Sequence, residues 1–248
     1  MIDEARLSEI ISTNVTIRLI EPHIYSVSSS DENINSYDKM GSIYDSVACN
    51  RFYNRLVWGY WTSNYHSLCE NALNSSKSGW VLDAGCGSLA FTAKTYVNYS
   101  QRPIILLDQS IVMLKMAKTR LIRLNGEVPA NMLFMHGDAL KLPFKPKSFN
   151  TIISMNLLHV FEDVTKVIAG VKNVLQDKGT MAFSTLVLND RFADKYLHML
   201  AKTGEVVPRN VTQLLEAFNG LDVPIKYSIR GNLCFITADA VHMNSVGF

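Results

Sequence analysis

Trp80-Val81-Leu82-Asp83-Ala84-Gly85-Cys86-Gly87-Ser88 is the stretch on which the fold turns. A short apolar run ends in a carboxylate and is followed at once by two glycines one position apart. Glycine lets the backbone turn sharply and approach a ligand closely, and a helix starting behind such a loop presents free N–H groups to that ligand. Asp83 can hold a cationic amine or orient the loop. Working outward, apolar strands alternate with amphipathic helices, the pattern of βαβ units in a mostly parallel sheet. Strands are expected at 80–84, 103–108, 132–136, 151–155 and 180–185, with helices at 111–124, 164–175 and 211–218. Two final runs, 225–229 and 233–238, are joined by Gly231-Asn232 and read as an antiparallel hairpin.

Upstream, 14–27 alternates weakly and suggests a short hairpin turning at Glu21-Pro22-His23, and 28–36 is polar and reads as a loop. Residues 37–73 are helical in character and rich in aromatics (Tyr37, Tyr44, Phe52, Tyr53, Trp58, Tyr60, Trp61, Tyr65). The expected organisation is an N-terminal extension (1–36), a helical cap (37–78) and an α/β core (79–248). The fold class is Rossmann-like, with a seven-stranded mostly parallel sheet, a C-terminal antiparallel hairpin and an N-terminal helical cap.

Composition bounds the partners. With 48% hydrophobic and 19% charged residues the chain has globular rather than disordered character. A formal charge of +2 gives no large basic field for nucleic acid, so a small-molecule substrate is expected. The four cysteines lack metal-ligand spacing, so no metal is expected and a reducing cytoplasm fits. The first ten residues mix Asp3, Glu4, Arg6 and Glu9 with apolar positions, unlike a signal peptide, and no run of about 18 apolar residues suggests a membrane span.

Two further stations follow the glycine loop. Ile104-Ile105-Leu106-Leu107-Asp108-Gln109-Ser110 ends a strand in a carboxylate, and a carboxylate can accept from both hydroxyls of a ribose. His136-Gly137-Asp138-Ala139-Leu140 ends the next one, where Asp138 can accept from an adenine amine while Ala139 and Leu140 contact the ring. Gly85, Gly87 and Ala90 also fit the dinucleotide fingerprint, with Asp108 at a suitable distance, so the loop alone does not separate a nicotinamide dinucleotide from S-adenosylmethionine.

Taken in order, these stations resemble the class I S-adenosylmethionine-dependent methyltransferases, particularly their small-molecule "methyltransferase 11" type, over about residues 37–238. The stretch from Asn150 through Asn156 and His159 to Asp163 is similar to that family's fourth strand and following loop, and Leu175-Gln176-Asp177-Lys178-Gly179 to the turn before its fifth. The resemblance implies S-adenosylmethionine as cofactor, held by Asp83, Ala84, Gly85, Cys86, Gly87, Asp108, Gln109, Ser110, Met113, Gly137, Asp138, Ala139, Leu140 and Asn156. It implies methyl transfer to a small acceptor, by O- or C-methylation of a phenol, quinol or lipid-like metabolite. The segment carrying Tyr37, Tyr44 and Tyr53 resembles the N-terminus of ubiquinone/menaquinone C-methyltransferases, which implies Tyr44, or else Tyr37, at the methionine carboxylate. His159, beyond the fourth strand, is the candidate base, with a structural histidine as the alternative. One departure stands out: Leu89 occupies the place of the family's third glycine and narrows the space over the methionine part. It keeps open a catalytically inactive cofactor-binding or partner-binding protein on the same fold, beside an NAD-dependent oxidoreductase.

Overall fold

The structure, a computed structural model, describes residues 2, 4–27, 50–76, 78–99, 101–221 and 224–239. Among these, nine strands form one sheet: β1 (Arg18–Glu21), β2 (Ile24–Ser26), β3 (Val81–Ala84), β4 (Ile104–Asp108), β5 (Met132–His136), β6 (Phe149–Met155), β7 (Leu175–Leu186), β8 (Ile225–Arg230) and β9 (Leu233–Asp239). Their order is β1-β2-β5-β4-β3-β6-β7-β9-β8. The stretch from β2 to β7 is parallel, and β1, β8 and β9 supply the antiparallel pairs.

The Rossmann-like plan and the terminal hairpin are as expected, but the strand count is nine rather than seven. The two extra strands are the 14–27 hairpin, which joins the sheet with Ile24 opposite Phe134 and Ser26 opposite His136. Its short, weak alternation carries no mark of which edge will accept it. The expected turn at 175–179 is also drawn into β7. The register jumps from Phe149–Leu175 to Thr151–Thr180, so the strand bulges there and turns Gln176, Asp177 and Lys178 to solvent.

Strand side chains alternate between two cores. Leu82, Ile105, Leu107, Leu133, Met135 and Ile152 face one, with Leu7, Val167, Val171 and Leu214 from the helices covering it. Val81, Ile104, Leu106, Met132, Phe134 and Ile153 face the other, beneath Tyr65, Leu73, Tyr96, Leu114, Leu121 and Leu197. A parallel sheet covered on both faces needs apolar residues at every position, which is why the central strands read as unbroken apolar runs.

Local chemistry fixes the ends of the helices. Ser110 caps Ile111–Asn125 by accepting from Met113 N–H, and Asp163 caps Val164–Val174 by accepting from Thr165 N–H. At the C-terminal end of Ser63–Ser75, the buried Arg102 guanidinium donates to the Leu73 and Ser76 carbonyls and to Thr151 Oγ1. Burial holds that guanidinium down to about 10. It is the cation a helix C-terminus favours.

Of the segment expected as a helical cap, residues 50–76 and 78 are described. Asn50 caps the turn Arg51–Tyr53, which continues into a π-helical turn, Asn54–Trp58. Gly59, at φ +81°, ends it. The helix Ser63–Ser75 packs on the sheet itself, burying Tyr65, Leu68, Cys69, Ala72 and Leu73. The turn at Gly59 touches the β8–β9 hairpin: Asn232 N–H donates to Trp58 O at 2.8 Å, and a Cβ on Gly231 would lie 1.9 Å from that same oxygen. Gly231 also sits at φ +59°, a region that favours glycine. Gly231→Ala is expected to cost about 2 kcal/mol or more, lowering Tm by about 4 °C or more and exposing Trp58. A thermal melt and tryptophan fluorescence check it, and an unchanged Tm would contradict the contact.

Candidate active site

Chain order reverses direction across the sheet at β3, which has β4 on one side and β6 on the other. At such a switch point the connections diverge and leave a crevice beyond the carboxyl ends of the strands. A cavity of about 470 Å³ lies there, bordered by Asp83, Asp108, Met155 and Leu186 at the ends of β3, β4, β6 and β7.

The glycine loop is tied to β4 atom by atom. Gly85 and Cys86 N–H both donate to Leu107 O at 2.8 and 3.0 Å. Gly87 N–H donates to Asp108 Oδ2 at 2.8 Å, and Ser110 N–H to Oδ1 at 2.9 Å. A carboxylate oxygen can accept more than one hydrogen bond, so holding the loop does not by itself bar Asp108 from a ligand. Gly85 has no room for a side chain, because a Cβ would lie 2.8 Å from Leu157 Cδ1. Among the described residues, a Cβ on Gly87 would meet nothing within 4 Å, so the backbone there is bare toward them. Leu89, in contrast, holds φ +57° with its side chain packed in the core, 1% exposed, at the cavity wall.

Asp83 is 2% exposed. Tyr96, fully buried, donates its hydroxyl to Oδ2 at 2.8 Å, whereas Oδ1 has no hydrogen-bond partner among the described residues. Burial pushes this carboxyl up to about 7; the Tyr96 bond works against that rise and the nearby Asp108 anion adds to it. Burial, with Asp108 and then Asp83 beside it, also pushes the Cys86 thiol well up, so it stays protonated.

His159 borders the cavity but is 6% exposed, and burial, reinforced by the Arg209 charge, lowers it to about 4. For the residue expected as a base, the low-dielectric site disfavours imidazolium. Leu186 N–H approaches Nδ1 at 3.4 Å and Thr185 Oγ1 lies 3.2 Å away. Since an N–H can only donate, Nδ1 is the acceptor and the ring proton is assigned to Nε2. The ring thus offers a donor rather than a free base.

Asn156, at φ +56°, is oriented by a one-way chain of hydrogen bonds. Its Nδ2 donates to Tyr65 Oη, Tyr65 to Tyr60 Oη, and Tyr60 to Asn54 Oδ1, at 2.7, 2.7 and 2.6 Å; Asn54 Nδ2 ends on the Asn50 carbonyl at 2.9 Å. Beyond it the wall is aromatic. Trp58 packs against Tyr196 with centroids 5.3 Å apart, and Tyr53 Oη reaches Tyr196 Oη at 3.4 Å. Phe161, Leu200 and Val206 continue that wall, with Glu205 as its carboxylate.

Of the residues expected at the site, Asp83, Gly85, Cys86, Gly87, Asp108, Gln109, Ser110, Met113, Ala139, Asn156 and His159 border this cavity. Ala84, Gly137, Asp138 and Leu140 do not. Ala84 faces the opposite core, Gly137 packs so closely that a Cβ would lie 2.9 Å from Val27 Cγ2, and Leu140 is exposed. Asp138 Oδ1 accepts from Leu140 N–H at 2.8 Å, making an Asx turn of its own loop. Tyr44 and Tyr37 lie outside the described residues. Sequence reading missed Tyr96, Tyr196 and Glu205, and it missed a buttress behind Gln109, where Ser26 Oγ meets His136 Nδ1 at 2.9 Å and His136 Nε2 donates to Gln109 O at 3.1 Å. None carries a local motif; Tyr196 belongs to an amphipathic helix, Ala193–Lys202, that periodicity alone could have found.

Comparison with known proteins bears on this site. Residues 75–219, more than half of the chain, match a family model described as a methyltransferase domain. No curated protein matches. Among solved structures, the chain is similar to an S-adenosylmethionine-dependent methyltransferase of Methanococcus maripaludis (18% identity, TM-score 0.59, 85% of this chain and 97% of that one). It is also similar to a Haemonchus contortus phosphoethanolamine N-methyltransferase bound to phosphomonomethylethanolamine and S-adenosylhomocysteine (14%, 0.63, 82% and 58%). A third is the geranyl diphosphate C-methyltransferase of Streptomyces coelicolor, bound to Mg2+, geranyl-S-thiolodiphosphate and S-adenosylhomocysteine (13%, 0.57, 77% and 82%). At these identities the likeness concerns the fold, and a specific likeness to ubiquinone/menaquinone C-methyltransferases is not shown. The family match, on a chain whose glycine loop and β4 carboxylate meet at one crevice, decides between the two cofactor classes that the loop motif left open: the chain belongs to the class I S-adenosylmethionine-dependent methyltransferases.

Proposed function

We propose that the protein methylates a small apolar or planar acceptor, a phenol, quinol or lipid-like metabolite, at oxygen or carbon. The observation that carries this reading is the continuity of one cavity from the carboxylates Asp83 and Asp108 to the aromatic wall of Tyr53, Trp58, Tyr60, Phe161 and Tyr196.

The residues fit the cofactor. Asp83 Oδ1 lacks the partner that a bound ammonium would provide, and the space beside Gly87 admits close approach to bare backbone. Asp108 brings to the same end a carboxylate of the kind that accepts from a diol, and Gln109, Ser110, Met113 and Ala139 border it too. Bound S-adenosylmethionine supplies a methyl group on a sulfonium sulfur, so the protein's task is alignment, exclusion of water and removal of a proton. Asn156 and neutral His159 border the space between the two ends, Asn156 held rigid by Tyr65 and His159 able to donate through Nε2. Among the described lining residues the charged ones are Asp83, Asp108 and Glu205. That sign suits cations and uncharged acceptors, and a phosphorylated acceptor would need a divalent cation beside it, as the geranyl diphosphate complex has in Mg2+.

Transfer of a labelled methyl group to members of a phenol, quinol and lipid-metabolite panel is the direct test. Turnover of a phosphorylated acceptor alone, or of none, would remove this acceptor class.

Asp83 couples cofactor binding to pH. In the free protein its raised value favours the folded chain most below the ordinary carboxylate value of 3.8, and that contribution is lost as pH rises through about 7. An ammonium partner needs the ionised carboxylate, so binding near pH 6 expels a proton. S-adenosylhomocysteine affinity is expected to rise by up to about tenfold per pH unit from pH 5 to 7, and to flatten as the ligand's own amine deprotonates near pH 8. Calorimetry in buffers of different ionisation enthalpy should count about one proton released, and none in Asp83→Asn.

Leu89→Gly removes a side chain from the cavity wall and relieves a left-handed leucine. Binding of S-adenosylhomocysteine should tighten several-fold. Stability should nevertheless fall, because loss of a buried leucine side chain costs about 2–5 kcal/mol and strain relief returns only about 1–2 kcal/mol. Titration calorimetry and a thermal melt read the two effects separately, and unchanged affinity would mean that Leu89 does not crowd the ligand.

A further inference from the structure

The loop from Gly85 to Leu89 contains three residues at positive φ: Gly85 at +75°, Gly87 at +54° and Leu89 at +57°. The two glycines adopt this region freely, but a leucine does so only where its surroundings over-determine it. Hydrogen bonds fix the peptide groups around Leu89. Its own N–H donates to Cys86 O at 3.2 Å, and its carbonyl accepts from Thr92 and Ala93 N–H at 3.3 and 3.1 Å. The carbonyl of the Ser88–Leu89 peptide, whose orientation sets the leucine's φ, is taken by a residue far along the chain. Arg120 Nη1, on the helix Ile111–Asn125, donates to Ser88 O at 2.6 Å and lies 2.9 Å from Ser88 Oγ. Ser88 is itself 5% exposed, and these bonds are part-buried and come from a charged donor, which makes them stronger than neutral ones.

We propose that Arg120 is a positioning residue for the cofactor loop. By gripping the Ser88–Leu89 peptide it holds Leu89 in the left-handed conformation that glycine would adopt unaided, and so keeps Gly87 N–H on Asp108 and its bare backbone toward the cavity. The chain carries leucine in the loop and the clamp on the neighbouring helix as a matched pair. Arg120 does not border the cavity, and its effect on a ligand passes entirely through the loop. The inference rests on the reading that this loop holds S-adenosylmethionine.

A double-mutant cycle tests it, using Arg120→Met, which keeps an unbranched apolar stem, Leu89→Gly, and the two combined. Two properties are measured on the full chain: S-adenosylhomocysteine affinity by calorimetry, and amide hydrogen exchange of peptides spanning 85–92 without ligand. Arg120→Met alone should weaken binding about tenfold or more and speed exchange in the loop, while leaving exchange in β6 and β7 unchanged. In the Leu89→Gly background the same substitution should cost less than about threefold, with a correspondingly smaller change in exchange. Arg120→Lys should recover part of the affinity through one donor. Equal losses in both backgrounds, or no loss with leucine present, would overturn the proposal. Failure of the unsubstituted protein to bind S-adenosylhomocysteine would count against the cofactor assignment instead, and the exchange cycle would still decide whether Arg120 clamps the loop.

Discussion

Everything at the cavity depends on what the Asp108 carboxylate does to two stretches of backbone. One oxygen holds Gly87 N–H and the other holds Ser110 N–H. One side chain thereby ties the loop after β3 to the start of the helix after β4. A carboxylate aimed at two N–H groups is a strong, directional anchor. Remove it, and the glycine loop and the helix N-terminus have no common reference. The Gly85 and Cys86 N–H groups on the Leu107 carbonyl reinforce the same junction one residue earlier.

Around this anchor the site divides by chemistry. On the β4 side stand acids, small residues and free backbone, suited to the polar cationic body of a nucleoside. On the β7 side stand tyrosines, a tryptophan and aliphatic residues from four separate segments: the turn at 53–60, the loop after β6, the helix Ala193–Lys202 and the stretch beyond it that carries Val206. The hydrogen-bond chain from Asn156 through the buried Tyr65 and Tyr60 to Asn50 crosses this divide. Its direction is fixed because the final acceptor is a carbonyl, so every hydroxyl along it has one orientation.

Much of this was legible in the residue order. The strands of a two-sided parallel sheet must be apolar throughout, so β3 to β7 announce themselves, and Asp83, Gly85, Gly87 and Asp108 are marked by sitting where such runs stop. Other features depend on distance in space. Tyr96 lies in a segment without a motif, and its meaning comes only from a hydroxyl 2.8 Å from Asp83. Asp138 looks like a ligand contact by position, and the bond that one of its oxygens accepts from Leu140 N–H in its own loop is not announced by that position. His159 shows the same limit in energy rather than geometry. Its place beyond β6 was readable, but the burial that keeps it neutral was not. Leu89 was visible as a departure, whereas the arginine that holds its peptide, thirty-one positions on, was not.

The outermost strands give the sheet one more property. Both margins of the described sheet are hairpins folded back on the parallel centre, β1 on β2 and β8 on β9. β1 is four residues long and carries Arg18 and Glu21, with Glu21 engaged by Lys115 and Lys118; β8 carries Lys226 and Arg230. Short, charged margins are poor templates for strand addition by another chain. The long apolar strands that would be most hazardous if bare, β4 and β5 among them, are each paired on both sides. The hairpins therefore act as selvedges, finishing a fabric whose interior threads would otherwise fray into aggregates.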